Sequence, residues 1–513
     1  MKNKSWILFL WVIAVYMTWL LVYPEILASF EANSFFVATP DYFNQMLTLP
    51  GGLGSLCGNF VAQFFRWREM GALIIALMTL IIAWSSWQII KSLNVKNGQV
   101  AALFISIVFA IVQLKWFSLI TSVQFIFFFL ALYLYVLIRK KNIRLFLALV
   151  YLPCMAWLLP SGLGFLFFIF IAVLEYRLSG FSWIFVVIPI AEAVSFLAIP
   201  YLWSRLIAFV PANLYLTFVS VADENIWPVI AFTLISGFSF CLCVLLPLKK
   251  DRLLQISGII LIIIGIVVMS FDPSSRNKEY MAKIYSYAGI GQWGDIIEDI
   301  PMDKAHDNPL LFRYLLLAYS ETGQLPDRLP EVVPLNTESF YFNPANKPEE
   351  KEFNSLFYEA IGIYNEAIHQ TFERAIQSDN GMTFSSLRML IDLNLKAGNV
   401  KIVEKYMEIL RHSTCLGSWI QKREALLAYL KTHPVQQPDR TAVPTFIGSQ
   451  PFVTEMGHLV NQDAQNLKKI DYLLCGLMLQ NDKNRFKTVY DAVQYEKIRP
   501  QVPVCYQMFL GTK

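Results

Sequence analysis

YPEILASFEANSFFVATPDYFNQMLTLPGGLGSLCGNFVAQFFRWR, residues 23–68, lies between the first hydrophobic run of the chain and the second. It is too polar to cross a bilayer and too apolar to be an ordinary loop. Three acids sit in it: Glu25, Glu31 and Asp41. Thr39-Pro40-Asp41 has the order of a helix start, with Thr39 as N-cap, Pro40 at the first helical position and Asp41 in the first turn. Pro50-Gly51-Gly52 then breaks the chain. Beyond the break Leu53, Cys57, Phe60, Val61 and Phe64 recur at helical spacing, with Ser55, Asn59, Gln63 and Arg66 on the other side. That is the pattern of an amphipathic helix lying in a membrane interface. The stretch therefore predicts two short surface helices, residues 41–49 and 53–66, in a loop spanning 24–70 that carries acids.

Working outward, the 513 residues are 56% hydrophobic and 16% charged. This composition fits an integral membrane protein with a sizeable soluble part. The net charge of +4 is small, so its distribution matters more than its sum. Seven cysteines without CxxC spacing suggest neither a zinc site nor a disulfide framework. No P-loop, Rossmann fingerprint, HExxH or nucleophile elbow occurs. All five histidines lie beyond residue 300 without ligand-like spacing, so no metal site is read, and nothing suggests nucleic-acid binding.

Residues Ser5–Val22 form an apolar run behind Lys2 and Lys4. With no small-residue cleavage site after it, the run reads as a first transmembrane helix rather than a signal peptide. Further spans are predicted at 71–90, 99–116, 119–138, 145–159, 162–176, 182–203, 226–247 and 253–271, about nine in all. Lys91 and Lys96, Arg139 to Arg144, Arg177, and Lys249 to Arg252 mark the cytoplasmic turns. The N-terminus is then cytoplasmic, and the 24–70 loop faces outside. From Asp272 the composition becomes that of a soluble helical domain, 272–513, following a membrane domain, 1–271. Its turns resemble one another: YAGIGQW (287–293), AYSETGQL (318–325) and LKAGNV (395–400). Gly291 and Gly323 are 32 residues apart, near the period of about 34 for tetratricopeptide repeats. Residues 326–352, rich in Pro, Glu and Asn, read as a linker within this array. The expected fold class is all-α: a polytopic bundle followed by a tetratricopeptide-like domain on the outer side.

That orientation places Arg66, Arg68, Lys115 and Arg205 on the outer face, against the positive-inside tendency. Snorkelling to headgroups is one explanation. The other is that these cations hold the phosphate of a lipid carrier, with Glu31 or Asp41 activating an acceptor hydroxyl as general base. Glu192, in the middle of a predicted span, reads as a carboxyl paired between helices. Asp223-Glu224 reads as helix capping, with a metal-binding acid pair as the weaker alternative. Glu25 reads as a membrane-boundary residue.

The architecture resembles the C-type glycosyltransferase superfamily of polytopic enzymes that use polyprenyl-phosphate sugars. Those enzymes carry an acid in a long first external loop, helices along the membrane, and often a soluble external domain. The resemblance implies Glu31 or Asp41 as that acid, although the paired acids of some branches are not adjacent here. More closely, E-x4-F-x2-TPDYF…PGGL…F-x2-QFF (Glu31, Phe36, Thr39 to Phe43, Pro50 to Leu53, Phe60, Gln63 to Phe65) resembles an uncharacterised bacterial family of membrane proteins. The expected function is sugar transfer from a polyprenyl-phosphate carrier to an external acceptor at a bacterial inner membrane, with a divalent-metal requirement left open. Alternatively the chain is a membrane-anchored scaffold whose helical repeats dock envelope proteins.

Overall fold

The computed structural model describes residues 6–93, 98–180, 226–245, 251–332, 336–377, 381–434 and 451–511, with isolated helical positions between 187 and 205. Helices and the loops joining them make up the described residues, and no strand occurs among them. The chain divides into two units: Met1–Tyr280 with His412–Cys415, and Met281–Arg411 with Leu416–Lys513.

The first unit begins with α1 (Trp6–Val22), α2 (Pro24–Ala32), α3 (Pro40–Leu47) and α4 (Gly52–Ala62). Then follow α5 (Arg68–Ser92), α6 (Gly98–Lys115), α7 (Leu119–Leu137), α8 (Lys141–Leu158) and α9 (Ser161–Ser179). It closes with α10 (Trp227–Leu245), α11 (Asp251–Phe271) and α12 (Pro273–Ile290), the last of which runs on into the second unit. Helices α5 and α6 pack together, α1 lies against α5 and α11, and α7 lies against α4, α5, α8 and α9. The centre is aromatic: Phe125 meets Phe232 edge-on at 4.8 Å and stacks on Phe117 at 5.2 Å. Such ring pairs add roughly 1 kcal/mol each beyond the area they bury. The outward faces of α10 and α11 carry Leu234, Phe238, Ile259, Ile263 and Val267, all exposed. In water a contiguous apolar surface of this kind is unfavourable; against acyl chains it is the expected finish.

Among the described residues four helices are long and apolar enough to cross a membrane: Arg68–Ser92, Gly98–Lys115, Leu119–Leu137 and Gly162–Ser179. Two bent pairs, Trp6–Val22 with Pro24–Ala32 (83°) and Ile256–Phe271 with Pro273–Ile290 (45°), raise the number to six. The described residues thus account for four to six spans of a multi-pass membrane protein, where the sequence reading expects nine. The predicted span at 182–203 falls largely outside the described residues, and Glu192, Asp223 and Glu224 fall outside them altogether.

In the second unit, helix ends repeat one device. Gly291, Gly323, Gly362 and Gly398 take positive φ, between 71° and 77°, and Asn481 does the same at 54°. At each, the next residue's amide reaches back across the last turn: Gln292 to Tyr287 O, Gln324 to Tyr319 O, Ile363 to Tyr358 O, Asn399 to Asn394 O and Asp482 to Leu477 O. These Schellman-type caps satisfy carbonyls that the helix end leaves open. Between them run hairpins such as Pro348–Ala360 with Tyr364–Gln377 and Phe384–Lys396 with Val400–Arg411. The proline-rich segment read as a linker is packed rather than loose. Phe340 stacks on Phe452 at 4.9 Å and Tyr341 on Phe357 at 5.5 Å.

Candidate functional site

The 24–70 stretch folds as three helices and a turn. α3 and α4 fall where the sequence places surface helices, and α4 tightens into a 3-10 turn over Gln63–Arg66. α2, which the sequence reading left as loop, is the addition. The 83° bend after α1 sends α2 nearly perpendicular to that span. If α1 crosses the bilayer, α2 runs along it.

Pro24 opens α2, and no side chain of Tyr23 caps it. The cap comes from far along the chain, where both oxygens of Glu279 accept from the first-turn amides of α2. Glu25 N donates at 2.9 Å and Ile26 N at 2.9 Å. A carboxylate at a helix N-terminus matches both the open donors and the dipole. Around it, Glu25 pairs with Arg68 at 2.5 Å, and the Tyr23 hydroxyl donates to Met269 O. Arg276 lies over the Tyr23 ring at 5.9 Å.

Glu31 sits in the last turn of α2 and is only 5% exposed. Its carbonyl accepts from both the amide and the hydroxyl of Ser34, at 3.0 and 2.9 Å, which ends the helix. Thr39 caps α3 by accepting from Tyr42 N at 3.4 Å, and Asp41 in the first turn is exposed. The Tyr42 hydroxyl donates to Phe35 O at 2.7 Å and accepts from Asn59 at 3.1 Å, tying α3 to α4. Burial among Phe35, Phe36 and Phe43 pushes the Tyr42 phenol up to about 12, the Asn59 bond notwithstanding. The two candidate acids thus occupy different settings, Glu31 enclosed and Asp41 open to solvent.

The face that α4 buries is not the one its apolar pattern suggests. Gly52, Gly54, Gly58 and Ala62 are buried, whereas Phe60 is exposed and Leu53, Cys57, Val61 and Phe64 are only partly covered. The small-residue stripe lets the α4 backbone approach α7 and the end of α8 closely. A Cβ on Gly58 would lie 2.8 Å from Ile120 Cα, and one on Gly54 would lie 2.3 Å from Leu158 O.

The cations read as phosphate ligands have protein contacts of their own. Arg68 is on Glu25, as above. Lys115 pairs with Asp272 at 2.5 Å and lies 5.2 Å from the Trp116 ring. Asp272 in turn caps α12 by accepting from Ser275 N and Oγ at 2.9 and 2.8 Å, while Lys278 Nζ donates to Lys115 O at 2.8 Å. Arg66 donates to Cys415 O at 3.0 Å. Arg205 occupies an exposed helical position. No group of three or more His, Cys, Asp or Glu side chains placed to hold a metal occurs among the described residues.

One buried centre went unread in the sequence. Arg144 forks onto Glu175, Nε to Oε2 at 2.8 Å and Nη2 to Oε1 at 2.9 Å, with the two residues 4% and 1% exposed. Tyr135 OH donates to the same carboxylate at 3.0 Å. The remaining guanidinium donors go to Ser179 Oγ, Ile138 O and Arg139 O. Every charge-bearing atom is satisfied, which makes this a lock between α7, α8 and α9.

Fold and site together define an all-helical, multi-pass membrane protein with acids on short helices between its first spans. By sequence it belongs to a family of unknown function (DUF6057), whose model matches residues 2–509. No curated protein and no solved structure matches the chain.

Proposed function

We propose that the chain is a transferase of C-type glycosyltransferase-like architecture that moves a sugar from a polyprenyl-phosphate carrier to an acceptor outside a bacterial inner membrane. The observation that carries this reading is Glu31. It is a nearly enclosed carboxyl on a helix turned 83° from the first span. A general base needs a fixed position and limited water, and α2 supplies both. On this reading residues 182–203 help complete a bundle of about nine spans, and the capped hairpins form a tetratricopeptide-like domain that presents the acceptor. Arg68 and Lys115 keep N–H donors beyond their single carboxylate contacts, and with Arg66 and Arg205 they face the carrier phosphate. Asp41, open to solvent, is the second candidate base.

A scaffold reading is favoured by one observation: Arg66, Arg68 and Lys115 each bond to a protein acceptor, as purely structural cations do. Native mass spectrometry of the purified chain separates the two. A retained polyprenyl-phosphate, lost in Lys115→Ala and Arg205→Ala, is expected for the transferase. With it, Glu31→Gln should abolish transfer while leaving folding and lipid retention intact. Bulk phospholipid alone, indifferent to both substitutions, moves the conclusion to the scaffold.

A further inference from the structure

Four residues from far along the chain, His412–Cys415, belong to the first unit and lie on its 24–70 loop. Their contacts follow a rule. Ala38 N donates to His412 O at 2.9 Å. Gln63 Oε1 accepts twice from Thr414, from the amide at 3.1 Å and from Oγ1 at 2.6 Å. Arg66 donates to Cys415 O at 3.0 Å. The loop therefore reads the main chain of three of the four residues, donor, acceptor and donor in turn. To this it adds the side-chain hydroxyl of Thr414.

Gln63 is built for this. It is 1% exposed, and its Nε2 is directed to Phe60 O at 3.4 Å, which fixes the amide so that Oε1 faces the segment. A flipped amide would set donor against donor. A second observation concerns the neighbouring residue. Ser413 Oγ is buried with no protein hydrogen-bond partner. A desolvated, unsatisfied hydroxyl is costly and calls for an explanation. Packing alone needs neither a main-chain readout nor a stranded hydroxyl. Thr414 itself remains exposed to solvent.

We propose that the first loop is a binding site for a bent, hydroxyl-bearing peptide, which the chain's own Ser413-Thr414 turn, between the helices Val400–Arg411 and Gly417–Thr432, fills in this structure. Backbone groups supply the affinity for any sequence, and Gln63 supplies the preference for serine or threonine. Within the transferase reading, on which this further step rests, such a hydroxyl is the acceptor and the internal segment holds its place until a substrate chain displaces it. Gln63, Arg66 and the Ala38 amide are then positioning groups.

The test is fluorescence anisotropy of a labelled peptide LRHSTCLG, the sequence of residues 410–417, against the full chain in lipid nanodiscs without any sugar donor. Thr414→Val in the chain removes one internal bond and should tighten peptide binding roughly three- to ten-fold, the effect of one net hydrogen bond. A peptide with valine at the threonine position should bind weaker by a similar factor. Gln63→Leu should lose the peptide, whereas Gln63→Glu, which keeps the acceptor oxygen, should retain it. Independently of any variant, excess peptide should raise amide exchange across residues 411–416 of the wild-type chain.

Absent binding to Thr414→Val together with unchanged exchange in the wild type overturns the proposal, leaving 412–415 as a packing contact. So does equal binding of the threonine and valine peptides, or indifference to Gln63→Leu. Because binding is read without donor, a peptide that binds but receives no sugar when donor is added overturns only the acceptor role.

Discussion

Arg144 and Glu175 show what a single residue means once its partner is known. In the sequence Arg144 is one of four positive charges near a turn and marks a side of the membrane. In the fold it is withdrawn into a forked pair with Glu175. Glu175 lay unnoticed near the end of a predicted span, although an acid there asks for a cation within reach. Removing one partner strands the other: Glu175→Ala should cost about 3–5 kcal/mol, read as a lower unfolding midpoint in detergent. The double variant Glu175→Ala/Arg144→Ala should recover part of that loss, and a double variant as unstable as the sum of the singles would contradict the pairing. Asp471, in the second unit, behaves differently. Burial pushes its carboxyl up to about 6 against the opposing donors Tyr495 and Tyr506 and the charge of Arg499. The folded chain then holds that proton more tightly than the unfolded chain does. The resulting stabilisation is complete below about pH 4 and is lost as pH rises through about 6, on the order of 3 kcal/mol in all. Thermal midpoints of wild type and Asp471→Asn should therefore diverge in slope between pH 4 and 6, and parallel slopes would refute the assignment.

At the scale of elements, the legible features were those whose cause is local. Thr39-Pro40 and Pro50-Gly51 fix the starts of α3 and α4 through φ and hydrogen-bonding capacity alone. Gly291, Gly323 and Gly398 mark helix ends because their positive φ excludes most side chains. The Gly362 and Asn481 caps obey the same geometry, but Ile363 and Asp482 follow them rather than Asn or Gln, so they escaped notice. α2 was missed because its cap, Glu279, is 254 residues away. The buried face of α4 was missed for another reason: a face made of glycines has no hydropathy to register. Gly54→Ala tests that face directly. Its Cβ would meet the Leu158 carbonyl, a backbone atom that cannot swing aside. The variant should fall in thermal midpoint by several degrees or accumulate poorly, whereas Phe60→Ala, which loses edge contacts with Phe36 and Phe64 but meets no backbone, should lower it less. Equal effects from both would return α4 to the orientation the apolar pattern suggests.

For the molecule as a whole, composition was enough to point to a membrane protein, because bilayer and water select opposite surfaces. The number of spans was less legible, since runs such as 99–138 can be cut at several places with similar hydropathy. Nor does hydropathy measure the bends after Val22 and Phe271. Orientation rests on charge bias, and it makes a prediction. A phosphatase reporter joined after Gly511 should be active and a fluorescent protein there dark, as for an external C-terminus. The opposite result would put Glu31 and Lys115 on the cytoplasmic side and end the proposal of an external acceptor. The Glu279 contacts carry one more consequence, for the order of events in synthesis. A ribosome adding about 5–20 residues per second needs on the order of tens of seconds to travel from Glu25 to Glu279, and longer to reach Thr414. For that interval the first-turn amides of α2 and the side-chain oxygen of Gln63 wait for their native partners. The first loop to emerge is among the last to be finished, and the cell must shelter it until the chain that completes it arrives.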